Sequence, residues 1–387
     1  MSTTTRGRTR FTSESVTEGN PDKVADQISD AVLDAILVKD PLARVACETA
    51  ITTGLVLVSG EITTDCYVDI PRLIRQTVRE CGYSRAKYGF DAETCGVLVS
   101  IDEQSPDIAH GVDIGGAGDS GTAGGYACDQ TPELMPLPIQ LAHRVTRALS
   151  DARRTKLLPY LRPDGKAQVT VGYDDRGVAS AVETVVVSAQ HHDEVDLVQL
   201  RKEIREKVIL PALEGAPGLD RTEFLINPGG RFVVGGPVAD VGMTGRKTTV
   251  DSYGGWAISG GGGLCGKDPT KVERAGTYGA RYVAKNLVAA GLARECEVQI
   301  AYAIGQVRPA ALRVATNGTG ALPDTELERI VSEVFDLSPL GIIKELNLRR
   351  PLFRHTACYG QVGRTDVELP WESTAREGDL RLEAKAG

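Results

Sequence analysis

Gly254-Gly-Trp-Ala-Ile-Ser-Gly-Gly-Gly-Gly-Leu-Cys-Gly-Lys-Asp-Pro-Thr-Lys-Val-Glu273 carries four consecutive glycines, Gly260 to Gly263, followed by Lys267 and Lys271. The pattern predicts a helix that opens at Pro269 and carries Lys271. Glycine lets backbone N–H groups approach an anion closely, and a helix N-terminus adds partial positive charge. The two lysines then bring full charges to a polyphosphate. The run is not a Walker loop, because the Gly-x4-Gly-Lys-Ser/Thr spacing is absent. Taken alone it also reads as a glycine-rich connection before an amphipathic helix. A second cluster upstream decides for the phosphate: Arg246-Lys247 closes Gly235-Gly-Pro-Val-Ala-Asp-Val-Gly-Met-Thr-Gly-Arg-Lys247, which also carries Asp240. Two Gly-rich basic loops within about thirty residues mark a site for a highly charged phosphate chain.

Composition bounds what surrounds that site. A chain of 387 residues is long enough for two or three domains. Its net charge of −8 argues against a nucleic-acid binder, so the lysine clusters are focused sites and not a broad basic face. Aromatic residues at 5% exclude stacking platforms for single strands. Eight cysteines occur without a C-x-x-C pair, which reads as buried or free thiols in a reducing cytoplasm and suggests no zinc site. No apolar run approaches a membrane span. The first ten residues read as a disordered leader, and the adjacent His191-His192 as a solvated strand end.

Along the chain, Asn20-Pro21 followed by Val24, Ile28, Ala31, Val32 and Ala35 predicts a helix with an N-cap. Segments 43–51 and 54–64 form a β pair around Thr53-Gly54, 69–80 a helix and 94–101 a strand. A glycine-dense stretch, 102–125, interrupts the pattern. A helix near 136–152, strands 166–173 and 179–188, and a helix over 194–209 follow. Strands 222–226 and 231–235, helix 270–290, strand 295–304, helix 325–336 and a Pro/Gly-rich tail complete the chain. The expected architecture is α+β, with three similar small domains.

Acidic residues add metal chemistry. Asp22 falls in a first helical turn, where a carboxylate also suits the dipole. Glu14, Glu18, Glu48 and Glu61 lie at strand or loop positions, and Asp119 sits in Gly116-Ala-Gly-Asp119-Ser-Gly121. A few carboxylates together with substrate phosphates suit Mg²⁺.

Several of these motifs together resemble the S-adenosylmethionine synthetase (methionine adenosyltransferase) family. They are Phe11-Thr-Ser-Glu-Ser-Val-Thr-Glu-Gly-Asn20-Pro-Asp-Lys23, Gly116-Ala-Gly-Asp119, Leu161-Arg-Pro-Asp164-Gly-Lys166, Gly235-Gly-Pro237 through Gly245-Arg-Lys247, and Gly266-Lys-Asp-Pro-Thr-Lys271. They occur in the family's order over residues 10–373. The resemblance implies three pseudo-symmetric α+β domains, here 10–108, 120–240 and 241–375. It also implies a homodimer, usually paired into a homotetramer, with active sites between subunits. The implied reaction is attack of the L-methionine sulfur on C5′ of ATP. The whole triphosphate leaves and is hydrolysed to pyrophosphate and phosphate.

By resemblance, Asn20, Lys166, Arg246, Lys247 and Lys267 are the catalytic set. Asp164, Lys166, Arg231, Phe232, Asp240, Arg246, Lys247, Gly263 and Lys267 contact ATP, with Phe232 packing on the adenine. Glu61, Gln104, Asp119, Asp240 and Lys271 surround methionine. Asp22 and Glu273 hold Mg²⁺, and Glu48 holds K⁺.

Four departures accompany the match. Asn20 replaces the family's histidine and cannot become cationic. Glu273-Arg274-Ala275 replaces Asp-Arg-Ser. Asp119-Ser-Gly-Thr-Ala-Gly-Gly125 loses an amide and three bulky side chains, which implies a wider pocket. Only Ile114-Gly115 separate Asp113 from Gly116, which shortens the gating loop. These departures leave a second reading open: a paralogue using ATP with another nucleophile or outcome, or a weakly active regulatory homologue.

Overall fold

The computed structural model describes residues 9–104, 112 and 115–386, whose helices and sheets form an α+β fold. In the first sheet, β2 (Arg44–Thr52) and β3 (Leu55–Thr63) are antiparallel about Thr53-Gly54. The strand β4 (Gly96–Asp102) lies parallel to β3, and the short β9 (Gly242–Met243) edges β2. The second sheet has the order β1-β6-β7-β8, from β1 (Thr9–Val16), β6 (Leu161–Tyr173), β7 (Ala179–His191) and β8 (Glu223–Ile226). The third sets β10 (Glu295–Tyr302) between β11 (Ala311–Ala315) and β5 (Gly121–Cys128).

Helices back one face of each sheet. α1 (Pro21–Leu37) and α2 (Ile70–Glu80) cover the first, α3 (Leu137–Arg154) and α4 (Leu197–Ile204) serve the second, and α5 (Val272–Ala289) lies on the third. Strand patterning follows from this. In β2, Val45, Cys47, Thr49 and Ile51 are buried while Glu48 is exposed; in β6, Ala167, Val169 and Val171 are buried while Lys166 and Gln168 stay half-buried. The first and third sheets share one apolar core, the second has its own, and Trp256 packs against both. The open faces of the first two sheets carry charged residues.

Several sequence expectations need correction. Residues 1–8 lie outside the described residues, but Thr9 and Arg10 are not part of a leader: they pair with Tyr173 and Gly172. The glycine-dense stretch contains β5, because a strand can run through glycines where another backbone approaches closely. A methyl on Gly125 would lie 2.1 Å from the Ala280 carbonyl carbon in α5. Segment 231–235 is not a strand; side chains from β6 and β7 take its backbone groups. The helix after the glycines begins at Val272 with Lys271 as N-cap. Before it, Asp268 accepts from Thr270 N at 2.9 Å in a tight turn that keeps Pro269 and Thr270 out of the helix. The expected helix over 194–209 is α-helical only over α4 and passes into a π turn at Arg205–Ile209. The expected helix over 325–336 is present as α6 (Asp324–Val334), whereas β11 before it and α7 (Pro339–Glu345) and α8 (Glu377–Ala386) in the tail were not expected. His191 is fully buried and not solvated. All eight cysteines are free, seven of them buried.

Candidate active site

The site is built on one stripe of α1. Asp22, Asp26, Asp30 and Asp34 recur every fourth residue, so they share a helix face. Asp22 and Asp26 capture the first basic loop, Asp30 the second and Asp34 a third segment. Asp22 accepts from Met243 N at 3.0 Å, Asp26 from Gly245 N at 2.8 Å and Asp30 from Gly266 N at 2.7 Å. Asp34 accepts from Phe353 N at 3.2 Å and Arg354 N at 2.9 Å. The two glycine-rich basic loops are therefore held by neighbouring turns of one helix. Apolar periodicity identified α1 but not this second role; the four-residue spacing of its acids is the signal that carries it.

Buried charge supports the arrangement. Lys23 lies between Asp26, at 2.9 Å, and Asp251. Burial opposes its charge, but Asp251 and Asp26 outweigh that and hold the ammonium well above its ordinary range. Asp26, Asp251 and Cys265 converge closely enough to suit a metal, yet the Lys23 ammonium already supplies their countercharge. Arg274 makes a two-pronged pair with Asp30, at 2.8 and 2.7 Å, and donates to Lys267 O at 2.9 Å. Lys267 also bridges to Ala46 of β2 through its backbone.

Cations gather above this base. Lys247 pairs with Asp22, and Arg246 Nε lies 3.4 Å from the same carboxylate. Lys267 lies 3.1 Å from Glu273, and Lys166 pairs with Glu14. Burial pushes the Glu14 carboxyl up, but Lys166 and Gln168 bond to it and Lys166 and Lys247 attract it, so it titrates below its ordinary value. Lys166 and Lys247 thus act on one carboxylate, which joins the second sheet to the basic loop. Lys166 and Arg246 are 42% and 46% exposed, so these pairs are weak and their cations can turn to phosphate oxygens at little cost.

Asn20 caps α1, its Oδ1 accepting from Asp22 N at 3.2 Å, and its amide donates to Asp164. Burial raises the Asp164 carboxyl to about 6, with Asp240 adding repulsion, against hydrogen bonds from Gly236 N, Gly165 N and Asn20. Gly236 N donates to it at 2.8 Å. Asn20, Asp164 and Asp240 therefore meet at the edge of the cationic cluster. Phe232 is half-buried beside them, and Arg231 is exposed.

Lys271 pairs with Asp268 at 3.1 Å, and Gly118 packs on Thr270 and the Lys271 side chain, which brings the Asp119 loop to the start of α5. Ser120 Oγ accepts from Ile304 N at 2.9 Å. The expected widening around Ser120–Gly125 does not appear at Gly124, where a methyl would lie 2.9 Å from Ile258 O. Backbone from 258–260 fills that space. Glu48 and Glu61 stand exposed on the open face of the first sheet, with Gln104 just beyond β4. Neither glutamate has an ion-pair partner among the described residues, but Ala46, the register partner of Glu61, is bridged on its other side by Lys267, so Glu61 and Lys267 flank the same residue of the first sheet. Gly111, Asp113 and Ile114 of the shortened gating loop lie outside the described residues. Glu18 is no metal ligand: it is buried against Arg153, Arg154 and Tyr359.

Two buried or exposed carboxylates bear on metals. Glu273 Oε2 is buried with no hydrogen-bond partner, an orphaned anionic oxygen that suits a hard cation such as Mg²⁺. Glu48 is exposed and unpaired among the described residues, where it joins no group of three His, Cys, Asp or Glu ligands.

The two glycine-rich loops of this three-sheet α+β chain bring Arg246, Lys247 and Lys267 together over α1, with Lys166 of β6 acting on the same carboxylate as Lys247, a cationic cluster suited to a phosphate chain. Family models for the N-terminal, central and C-terminal domains of S-adenosylmethionine synthetase match residues 8–106, 114–232 and 234–373. A relative from Desulforudis audaxviator (strain MP104C), named S-adenosylmethionine synthase, is 60% identical over 391 aligned residues, covering 97% of this chain and 99% of the relative. The chain belongs to the S-adenosylmethionine synthetase family. Nothing in these comparisons favours a repurposed paralogue.

Proposed function

We propose that the cationic cluster between α1 and the two glycine-rich loops binds the triphosphate of ATP for adenosyl transfer to L-methionine. As a member of its family the chain is a methionine adenosyltransferase. The observation that carries the residue assignment is the convergence of Arg246, Lys247 and Lys267 on the Asp22–Asp30 face of α1.

In the reaction the methionine sulfur forms a bond to C5′ and the C5′–O5′ bond breaks. The electron pair leaves with the triphosphate. A primary carbon yields such a polyanion only when its growing charge is neutralised in place. Lys166, Arg246, Lys247 and Lys267 fill that role, and the Gly263 backbone approaches the same chain. Asn20 holds one hydrogen bond near the reacting carbon. Asp164, Arg231, Phe232 and Asp240 form the nucleoside side, where Phe232 packs on adenine. Asp22 and Glu273 would hold Mg²⁺, which screens phosphate charge when bound, and Glu48 would hold K⁺. Glu61, Gln104, Asp119, Asp240 and Lys271 grip the ammonium and carboxylate of methionine. Lys267→Ala tests the cluster: tripolyphosphate binding should weaken by about tenfold or more, on the scale of a lost charged hydrogen bond, and unchanged affinity and rate would refute the assignment.

A site completed across a homodimer, with pairing into a homotetramer, is proposed from the family resemblance; Glu48 and Glu61, exposed on the open face of the first sheet and without an ion-pair partner among the described residues, support it. Light scattering tests this, since an active monomer of 41.2 kDa would contradict it. The segments 10–108, 120–240 and 241–375 are proposed as the domains, with β1, β5 and β9 exchanged between their sheets; limited proteolysis at the two junctions would check the division. Among the described residues no helix is long and apolar enough to cross a membrane. A cytoplasmic site of action is proposed on the eight free thiols, and cell fractionation checks it.

A further inference from the structure

The segment carrying Arg231 and Phe232 is held without a partner strand. Its backbone is fixed by the ends of β6 and β7. Arg162 and Gln190 both donate to Val233 O, each at 3.0 Å. His191 grips Phe232 at both polar backbone groups. The His191 N–H donates to Phe232 O at 3.0 Å, and Phe232 N donates to His191 Nε2 at 3.0 Å. His191 Nδ1 lies 2.7 Å from His192 O, which can only accept, so Nδ1 carries the proton and Nε2 is the bare acceptor. The Phe232 ring lies against Gly235, where a methyl would come within 2.7 Å of its Cε2.

We infer that His191 is a positioning residue for the nucleobase: its imidazole, locked in one tautomer, fixes the Phe232 backbone and so sets the ring on which adenine packs. This rests on the reading of Phe232 as the adenine platform. No group of His191 lies among the triphosphate cations, so its effect is confined to the base. Two side-chain atoms carry separate duties. Glutamine can place an acceptor where Nε2 lies, whereas asparagine reaches only the Nδ1 position and leaves Phe232 N without a partner. A backbone N–H that loses its acceptor shifts binding by about tenfold.

The experiment is calorimetric titration of the full-length protein with ATP and, separately, with inorganic tripolyphosphate, alongside steady-state kinetics. His191→Leu and His191→Asn should weaken ATP binding and raise its KM by about tenfold, with kcat and tripolyphosphate affinity unchanged. His191→Gln should restore most of the ATP affinity. If His191→Leu does not fold, His191→Asn against His191→Gln carries the same comparison. Equal losses for ATP and tripolyphosphate would reduce His191 to a structural role and overturn the inference. So would full ATP affinity in His191→Asn while Phe232→Ala binds ATP weakly. Unchanged ATP affinity in Phe232→Ala would instead overturn the adenine platform itself, and the inference with it.

Discussion

Gly245 and Gly263 meet backbone to backbone: a methyl on Gly263 would lie 2.8 Å from Gly245 Cα, and one on Gly245 would lie 3.1 Å from Gly263 Cα. This contact closes the two basic loops on each other and sets Arg246 and Lys247 beside the glycine run that leads to Lys267. Gly245 also has φ +80, a region that costs other residues about 1–3 kcal/mol. Gly245→Ala should therefore lower stability by that order and weaken tripolyphosphate binding together. Thermal unfolding and calorimetry on the one variant check both, and full affinity would show that the contact does not organise the cations.

Glu273 offers one oxygen to Lys267 and leaves the other buried without a partner. Glu273→Gln keeps the shape and removes the charge. The Mg²⁺ concentration giving half-maximal rate should rise by about 10–100-fold, the range for groups that tune a metal site. An unchanged Mg²⁺ profile would remove Glu273 from the metal site.

Asn20, which caps α1 and bonds Asp164, is proposed to stand where the resemblance places a histidine beside the reacting carbon. Asn20→His should speed adenosyl transfer by about 10–100-fold, the scale of one hydrogen bond to a charged group. Equal rates in the two proteins would show that the lysines and metal already supply what the imidazole would add.

Asp164 gives a pH dependence of stability. Its carboxyl is raised to about 6 from an ordinary 3.8, chiefly by burial. The folded state holds that proton more tightly than the unfolded chain, so its contribution is present below about pH 4. It is lost as pH rises through about 6. The difference is on the order of 3 kcal/mol, at 1.36 kcal/mol per unit. The stability of the protein relative to Asp164→Asn should fall by that order between pH 4 and pH 7.5, measured by denaturant unfolding. A pH-independent difference would show that Asp164 titrates normally.

Much of the fold was legible in the sequence because local chemistry and tertiary context agree. Alternation and the Thr53-Gly54 turn mark β2 and β3, and apolar periodicity behind Asn20-Pro21 marks α1. Local reading failed where a segment's partner is distant. Phe232-Val233-Val234 has strand composition, but His191, Gln190 and Arg162 take its hydrogen bonds. Gly121–Cys128 lacks strand composition, yet pairs with β10 and packs on α5. The glycine loops and their cations were readable as a phosphate site, since that chemistry needs those residue types close together. The α1 acid stripe was not, because apolar periodicity marks the face that packs on the sheet and does not show which distant loops Asp22, Asp26, Asp30 and Asp34 capture. The methionine contacts were not legible from spacing, since Glu61 lies in β3, Gln104 just beyond β4, Asp119 before β5 and Lys271 at the N-cap of α5, positions that no local pattern relates.

The most direct test of the account is incubation of the full-length protein with ATP, Mg²⁺, K⁺ and L-methionine, with every product identified by mass. The account predicts one S-adenosylmethionine per ATP consumed, with pyrophosphate and phosphate as the other products. ATP consumed without a methionine adduct, or triphosphate released intact beside a different adenosylated product, would contradict it.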